Sequence, residues 1–243
     1  MLMLRILFES FLHVILIISI VFLILKEKSK VNYQRILIFA FCYIVYQLFL
    51  SLPAINDEFN FIESRWNWEG KIFGIIWGIT SYFLFRRFFH ENDFFTLKQN
   101  KKSYTQAMLV CIIYVTISTI IWFLFDKPAY DLESLIFELT LPGIDEEIIF
   151  RGIILGLFAS SLKNKIPFIG NPSILLTAVL FALSHALSVK SQYVIDFNLY
   201  QFLQTGFTGY ILGWVTIKSR SILLALLTHN LSNFLGALST LIK

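Results

Sequence analysis

Four ionisable side chains lie inside one long apolar stretch of this sequence: Asp145, Glu146, Glu147 and Arg151. A charged side chain in the hydrocarbon of a membrane costs about 2.5–3.5 kcal/mol on insertion scales, so such groups need partners and usually have a function. Glu147 and Arg151 are four residues apart and can form an ion pair on one helix face. Glu146 projects about 100° away from Glu147, which leaves it free to face another helix.

Two later apolar stretches carry candidate partners for Glu146. One contains Phe181 and His185, four residues apart, and another contains His229 and Asn233 at the same spacing. Residues four apart share a helix face. With a rise of about 1.5 Å per residue, the three stretches place their polar groups at overlapping depths. We therefore expect these groups to converge on one buried cavity that water can reach.

The residue types in this set predict hydrolysis. A carboxylate and an imidazole can together activate a water molecule, which is the role we assign to Glu146 and His185. A second histidine and an amide, His229 and Asn233, can donate hydrogen bonds to a developing oxyanion. Hydrolysis of a carbonyl compound follows, and a peptide bond is the expected substrate group.

A zinc site is the second route that the same residues allow. Two histidines and one glutamate match a catalytic zinc site with an open fourth position, and the ligands would be Glu146, His185 and His229. The zinc-protease pattern HExxH is absent from the sequence, so this site would have to be assembled from separate helices. Both routes stay open at this point, and zinc is the one cofactor that the residues suggest.

Less specific uses exist for each of these residues. A lone intramembrane histidine or asparagine often makes only an interhelical hydrogen bond, which contributes about 0.6 kcal/mol. We assign Glu147 and Arg151 a supporting role rather than a catalytic one. Buried acids and histidines also form proton relays in transporters, but the repeated pair of broken helices that is typical of transporters is missing from the predicted elements.

The composition identifies a membrane protein. Of the 243 residues, 57% are hydrophobic and 15% are charged, whereas soluble domains average about 25% charged residues. We therefore predict an integral membrane protein embedded in a lipid bilayer. The net charge of +4 is ordinary for a chain with basic cytoplasmic loops and does not indicate nucleic-acid binding. Cys42 and Cys111 lie in apolar stretches, which disfavours a disulfide framework.

Apolar stretches of about 20 residues predict an all-α fold, a polytopic bundle of about eight transmembrane helices. We divide it into N-terminal helices over residues 1–131, about four, and a catalytic core over residues 132–243, again about four. The predicted spans are Ile6–Leu25, Ile36–Leu52, Ile72–Phe89, Tyr104–Phe125, Leu132–Leu162, Ser173–Ser188, Leu199–Ile217 and Ile222–Ile242.

The fifth stretch is too long for one straight span and contains Pro142 and Gly143. Proline removes an intrahelical hydrogen bond and clashes with the preceding turn. We predict a break or sharp kink there, followed by a new helix that begins at Asp145. A carboxylate is favoured at such a helix N-terminus.

Three short motifs carry a family resemblance. In chain order they are EExxxR, FxxxH and HxxxN, which read here Glu146-Glu147-Ile148-Ile149-Phe150-Arg151, Phe181-Ala182-Leu183-Ser184-His185 and His229-Asn230-Leu231-Ser232-Asn233. This ordered triple resembles the signatures of the CPBP family of intramembrane proteases. That family includes the Ras-converting CAAX endopeptidase and bacterial members tied to bacteriocin processing or immunity, often labelled Abi. The resemblance covers about residues 135–242.

The resemblance implies an intramembrane endopeptidase whose substrate is a membrane-embedded or membrane-adjacent peptide. The implied roles are water activation for Glu146 and His185, oxyanion stabilisation for His229 and Asn233, and support of the site for Glu147 and Arg151. The alternative is a non-catalytic membrane immunity or scaffold protein that binds a bacteriocin-like peptide or a partner membrane protein. A compact chain rich in Ile, Lys and Asn suggests a bacterial cell membrane as its location.

Overall fold

The computed structural model describes residues 1–125 and 131–242, and most of this part of the chain is helical, as the all-α class requires. The α-helices are α1 Leu2–Ile24, α2 Lys30–Leu50, α3 Leu52–Ile55, α4 Trp68–Phe85, α5 Tyr104–Phe125, α6 Leu132–Glu147, α7 Leu155–Ser161, α8 Pro172–Ala186, α9 Leu199–Ser219 and α10 Leu223–Leu241. Short 3-10 helices are Asp57–Phe59, Arg86–Phe88, His90–Asn92 and Ser191–Tyr193, and Ile148–Ile154 is a π-helix.

Three helices in the described part of the chain, α1, α2 and α5, are long and apolar enough to cross a membrane. Their outer faces carry large apolar side chains such as Ile15 and Leu124, each 58% exposed. Apolar surface on this scale fits lipid better than water, so the chain is an integral membrane protein. The other predicted spans correspond to shorter or more polar helices, such as α8 with 15 residues. The count of about eight spans stays a prediction.

α6 runs unbroken through Pro142 and Gly143, so the predicted break and the predicted helix start at Asp145 are wrong. The side chain of Asn230 on α10 gives the reason. The Gly143 N–H donates to Asn230 Oδ1 at 2.7 Å, and Asn230 Nδ2 donates to the Thr140 carbonyl at 2.9 Å. A Cβ atom at position 143 would lie 2.3 Å from Asn230 Oδ1. Glycine therefore admits a neighbouring side chain that satisfies the backbone around the proline.

The irregular part of this stretch follows the acidic residues instead of preceding them. Ile148–Ile154 forms a π-helix in which all seven residues are buried. A π-helix forms i→i+5 hydrogen bonds, and such segments occur often at functional sites. Asp145, Glu146 and Glu147 therefore occupy the last turn of α6, just before the helix widens.

Helices from both halves of the chain pack around this junction. Tyr43 and Phe39 of α2 contact Phe150 and Phe158, with ring centroids 6.3 Å and 4.9 Å apart respectively. The same buried cluster includes residues of α1, α4 and α8. N-terminal and C-terminal helices thus share one core.

A short antiparallel hairpin interrupts the helices, and the sequence patterns did not predict it. β1, Leu187–Val189, pairs with β2, Ile195–Phe197, with Ser188 opposite Asp196. α8 ends at Ala186, so β1 begins two residues after the predicted site residue His185. This hairpin therefore lies directly beside one member of the candidate site.

Candidate active site

Three of the four predicted catalytic residues meet at one point, from three different helices. Glu146 Oε2 lies 3.9 Å from His185 Nε2 and 3.8 Å from His229 Nε2. Glu146 and His229 are 8% and 6% exposed, whereas 30% of the His185 side chain is exposed. The cluster is therefore buried and opens on the His185 side.

Each imidazole is oriented through its other ring nitrogen. His185 Nδ1 lies 2.8 Å from the Phe181 carbonyl oxygen. Because a carbonyl oxygen only accepts, Nδ1 carries the hydrogen and Nε2 of the neutral ring keeps a free lone pair. His229 Nδ1 lies 2.9 Å from Glu147 Oε1, and this carboxylate fixes the ring in the same way. Both Nε2 atoms therefore face Glu146 as potential acceptors.

Glu147 and Arg151 form the ion pair expected from their four-residue spacing. Arg151 Nη1 lies 3.0 Å from Glu147 Oε1, and both side chains are fully buried. The guanidinium carbon of Arg151 lies over the Phe181 ring, 4.5 Å from its centroid, and Nη2 donates to the Gly209 carbonyl at 3.4 Å. Because Glu147 Oε1 contacts both Arg151 and His229, this ion pair helps to hold the His229 ring in place.

Asn233, the fourth predicted catalytic residue, is bonded outside this cluster. Its Nδ2 donates to Glu138 Oε2 at 2.9 Å. Glu138 lies two turns before Glu146 on α6 and is 8% exposed. An amide nitrogen has two hydrogens, so the second one can still reach a substrate oxygen. The motifs did not indicate Glu138, because an acid close to the start of an apolar stretch can equally be solvated.

Lys71 of α4 and Tyr46 of α2 belong to the site although no motif includes them. Lys71 Nζ lies 2.5 Å from Glu146 Oε1 and 3.0 Å from Asp145 Oδ2. The Tyr46 hydroxyl donates to the same Asp145 oxygen at 2.7 Å. One oxygen of Glu146 therefore faces a lysine while the other faces the histidines. Asp145, expected to cap a helix, is instead a fully buried member of this charge network.

Glycines in α4 explain how Lys71 reaches the carboxylates of Asp145 and Glu146. Their regular spacing is the sequence signal that could have predicted this contact. Gly70, Gly74 and Gly78 recur every four residues, a spacing that lets helices approach closely. A Cβ atom at position 74 would lie 2.2 Å from Asp145 Oδ1. α4 thus packs its glycine face against the end of α6, and Lys71, one turn before Gly74, comes within reach of both carboxylates.

The arrangement disfavours the alternative zinc site, which stays a prediction. Within residues 1–125 and 131–242, no three His, Cys, Asp or Glu side chains are placed to bind one metal ion together. A zinc ion bound to Glu146 would also lie close to the Lys71 ammonium group, and the two cations would repel each other. The donor set is therefore better suited to holding water than to holding a metal.

A family model described as Type II CAAX prenyl endopeptidase Rce1-like matches residues 128–235. The matched part contains all four predicted catalytic residues, whereas Lys71 and Tyr46 lie outside it. No curated protein and no solved structure matches the chain. The family match confirms the resemblance to the CAAX proteases that the three motifs indicated.

Proposed function

We propose that this chain, whose residues 128–235 match the family model of the Rce1-like type II CAAX prenyl endopeptidases, is a multi-pass membrane endopeptidase of the glutamate type. It hydrolyses a peptide bond in a membrane-embedded or membrane-adjacent peptide or protein, in the cell membrane of a bacterium. The observation that carries the proposal is the position of Glu146 Oε2 between two oriented imidazole nitrogens.

The spacing of these atoms suits a bridging water. The distance of 3.9 Å between Glu146 Oε2 and His185 Nε2 is too long for a direct hydrogen bond. A water about 2.8 Å from both atoms fits between them, and such bridges are energetically close to direct hydrogen bonds. Because both atoms accept, they bind the two hydrogens of that water. Its oxygen lone pairs are then left for attack on a carbonyl carbon.

The reaction then needs one proton to move twice. As the water oxygen bonds to the scissile carbonyl carbon, Glu146 or His185 takes a proton from the water, and a tetrahedral oxyanion forms. The same proton passes to the leaving nitrogen as the C–N bond breaks. The products are a carboxyl group and an amine, and the site returns to its starting protonation state.

His229 and Asn233 are the proposed donors to the oxyanion. His229 can donate from Nε2 only when both ring nitrogens carry a hydrogen, because Nδ1–H faces Glu147. Asn233 can donate its second amide hydrogen while the first stays bonded to Glu138. Donors of this kind act best where water is excluded, and the low exposure of His229 meets that condition.

The test is a cleavage assay with purified protein in lipid nanodiscs, a panel of candidate peptides and mass spectrometry of the products. Glu146→Gln and His185→Ala are expected to lower the rate by about 10²–10⁴-fold, the contribution of general acid–base catalysis, with helical content unchanged. Glu58→Gln, which alters an exposed carboxylate, is the matched control and keeps full activity. Full activity of Glu146→Gln would contradict the proposal.

A chelator added to the same assay tests the metal route. The proposed mechanism predicts no change of rate in the chelator. A loss of activity that zinc restores would instead establish a metal-dependent enzyme, whatever the outcome for Glu146.

One observation favours the non-catalytic alternative, a membrane immunity or scaffold protein that binds a bacteriocin-like peptide or a partner membrane protein. Lys71 neutralises one oxygen of Glu146 at 2.5 Å, as it would in a purely structural ion pair. In that case wild-type protein cleaves no peptide of the panel, and cells that express Glu146→Gln remain fully protected against the peptide toxin. The enzyme, by contrast, loses its biological effect with the same substitution.

A further inference from the structure

The hairpin beside His185 is anchored on one edge by buried polar side chains of α1. His13 Nε2–H donates to the Leu187 carbonyl at 3.1 Å, and the Val189 N–H donates to Glu9 Oε2 at 2.6 Å. His13 is 1% exposed, and its Nδ1 lies 2.7 Å from the Tyr43 hydroxyl. A membrane helix thus uses two ionisable residues to fix the position of β1.

The hydrogen-bond pattern shows which backbone groups point away from the hairpin. The Asn198 N–H donates to the Ala186 carbonyl at 2.9 Å, and the Lys190 N–H donates to the Val194 carbonyl at 2.8 Å. In an antiparallel pair, hydrogen-bonded and non-hydrogen-bonded positions alternate. By this alternation, residues 187 and 189 of β1 and residues 195 and 197 of β2 direct their N–H and C=O groups outward.

The two outer edges of the hairpin therefore differ. The edge of β1 is occupied by α1. In the part of the chain that the structure describes, no hydrogen bond reaches the outward N–H or C=O of Ile195 or Phe197. Both side chains are about half exposed, at 53% and 48%, as is Val194 at 56%. An edge strand with free backbone groups and apolar side chains is a template for another extended chain.

We infer that the outer edge of β2 binds the peptide substrate in an extended conformation, as a third strand of the hairpin. The inference rests on the proposed endopeptidase function. Main-chain hydrogen bonds to residues 195 and 197 would hold the substrate backbone, and the neighbouring apolar side chains would contact its side chains. The Asn198–Ala186 hydrogen bond places the end of β2 beside the residue that follows His185, so a bound strand runs toward the site.

An extended substrate also meets a need of the reaction. In a transmembrane helix every backbone carbonyl is satisfied within the helix, so a scissile bond must leave the helix before water can attack it. Pairing with β2 replaces the lost backbone hydrogen bonds near the point of cleavage. A site without such an edge would leave those groups unsatisfied in an apolar environment, which is costly.

The test uses a fluorogenic peptide that the wild-type protein cleaves in nanodiscs, synthesised with a single N-methyl group at each position in turn. Each N-methyl group removes one backbone donor. If the substrate pairs with β2, kcat/KM falls by about 5–10-fold at alternating residues on one side of the cleavage point, and the residues between them tolerate the methyl group. A flat profile, or losses without a period of two, would overturn the inference.

Ile195→Pro provides the complementary change on the enzyme. It removes the outward N–H and spares the pairing with β1, as proline does at an edge strand. A rise in KM of about 5–10-fold is expected, with a smaller rise for Ile195→Thr, which keeps the N–H. If Ile195→Pro changes only the monomer–dimer equilibrium, the edge pairs with a second copy and the inference is wrong. Failure of wild-type protein to cleave any peptide would contradict the proposed function itself.

Discussion

The acidic run at the end of α6 is stabilised differently at its two ends. At one end, Glu147 contacts Arg151 and His229, which both lie within the family-matched residues 128–235. At the other end, Asp145 contacts a tyrosine of α2 and a lysine of α4, and these helices lie outside the match. At the Glu147 end, an ion pair within one helical stretch also contacts a histidine of α10. At the Asp145 end, the contacts join the two halves of the chain.

Glu146 lies between these ends and touches both. Its Oε2 faces the two histidines, and its Oε1 faces Lys71. The matched region thus supplies the groups that can react, and the N-terminal helices supply the charge that holds the proposed base. If this division is correct, breaking the Glu147 end should mainly lower stability, and breaking the Lys71 contact should mainly lower activity.

Arg151→Met should have the largest effect on the fold. It leaves the fully buried Glu147 carboxylate without its strongest counter-ion, and breaking a buried pair in this way costs about 3–5 kcal/mol. Unfolding by SDS in mixed micelles, followed by circular dichroism, measures the loss. The double variant Arg151→Met with Glu147→Gln should recover part of it, because no uncompensated charge remains.

Lys190→Met is the matched control for this prediction. Lys190 Nζ lies 2.8 Å from Asp196 Oδ2, but the two side chains are 63% and 52% exposed. An exposed pair contributes about 0–1 kcal/mol. If Arg151→Met unfolds no more easily than Lys190→Met, the Glu147 end is not the stabilising part of the site.

The Glu147 end could be predicted from the sequence because its geometry is local. A spacing of four residues fixes the Glu147–Arg151 pair on any helix. His185 and His229 were found because a histidine in an apolar stretch is conspicuous and because the rise of about 1.5 Å per residue placed both at depths that overlap with that of Glu146. These signals place chemical groups at the right depth, and they are enough to indicate the cluster around Glu146.

The remaining features depend on contacts between distant parts of the chain. Lys71 lies just before the apolar stretch that begins at Ile72, where a lysine is ordinarily solvated. Only the packing of α4 against α6 brings it to Glu146. The unbroken helix at Pro142 depends in the same way on hydrogen bonds from Asn230. The hairpin after His185 has three-residue strands, which are too short for a periodic pattern to stand out.

Lys71→Met should have the second-largest effect, and on catalysis more than on binding. Among the described residues, the Lys71 ammonium group is the hydrogen-bond partner of Glu146 Oε1, and its removal frees that oxygen to move. A displacement of about 1 Å of a catalytic group can cost about 10²-fold in rate, so kcat should fall by about this factor with KM little changed. Steady-state kinetics in nanodiscs measure the two constants separately.

Two further variants distinguish a positioning role of Lys71 from a structural one. Lys71→Arg keeps the positive charge and should restore part of kcat, whereas Lys101→Met, which alters an exposed loop lysine, should leave kcat unchanged. Equal loss of kcat in Lys71→Arg and Lys71→Met, matched by equal loss of stability, would show that Lys71 acts only through the fold.

Tyr46→Phe should have the smallest effect, because Lys71 stays on the Asp145 oxygen that the hydroxyl contacts. Loss of one buried hydrogen bond to a charged group costs about 1.5–3 kcal/mol, and kcat should change little since Tyr46 does not touch Glu146. The two partners of Asp145 Oδ2 should nevertheless be coupled. Tyr46→Phe made in a Lys71→Met background should therefore destabilise the protein more than in wild type, because Asp145 then loses both of these partners. Simple additivity in SDS unfolding would mean that the lysine and the tyrosine act on Asp145 independently, and that the Asp145 end is not a single network.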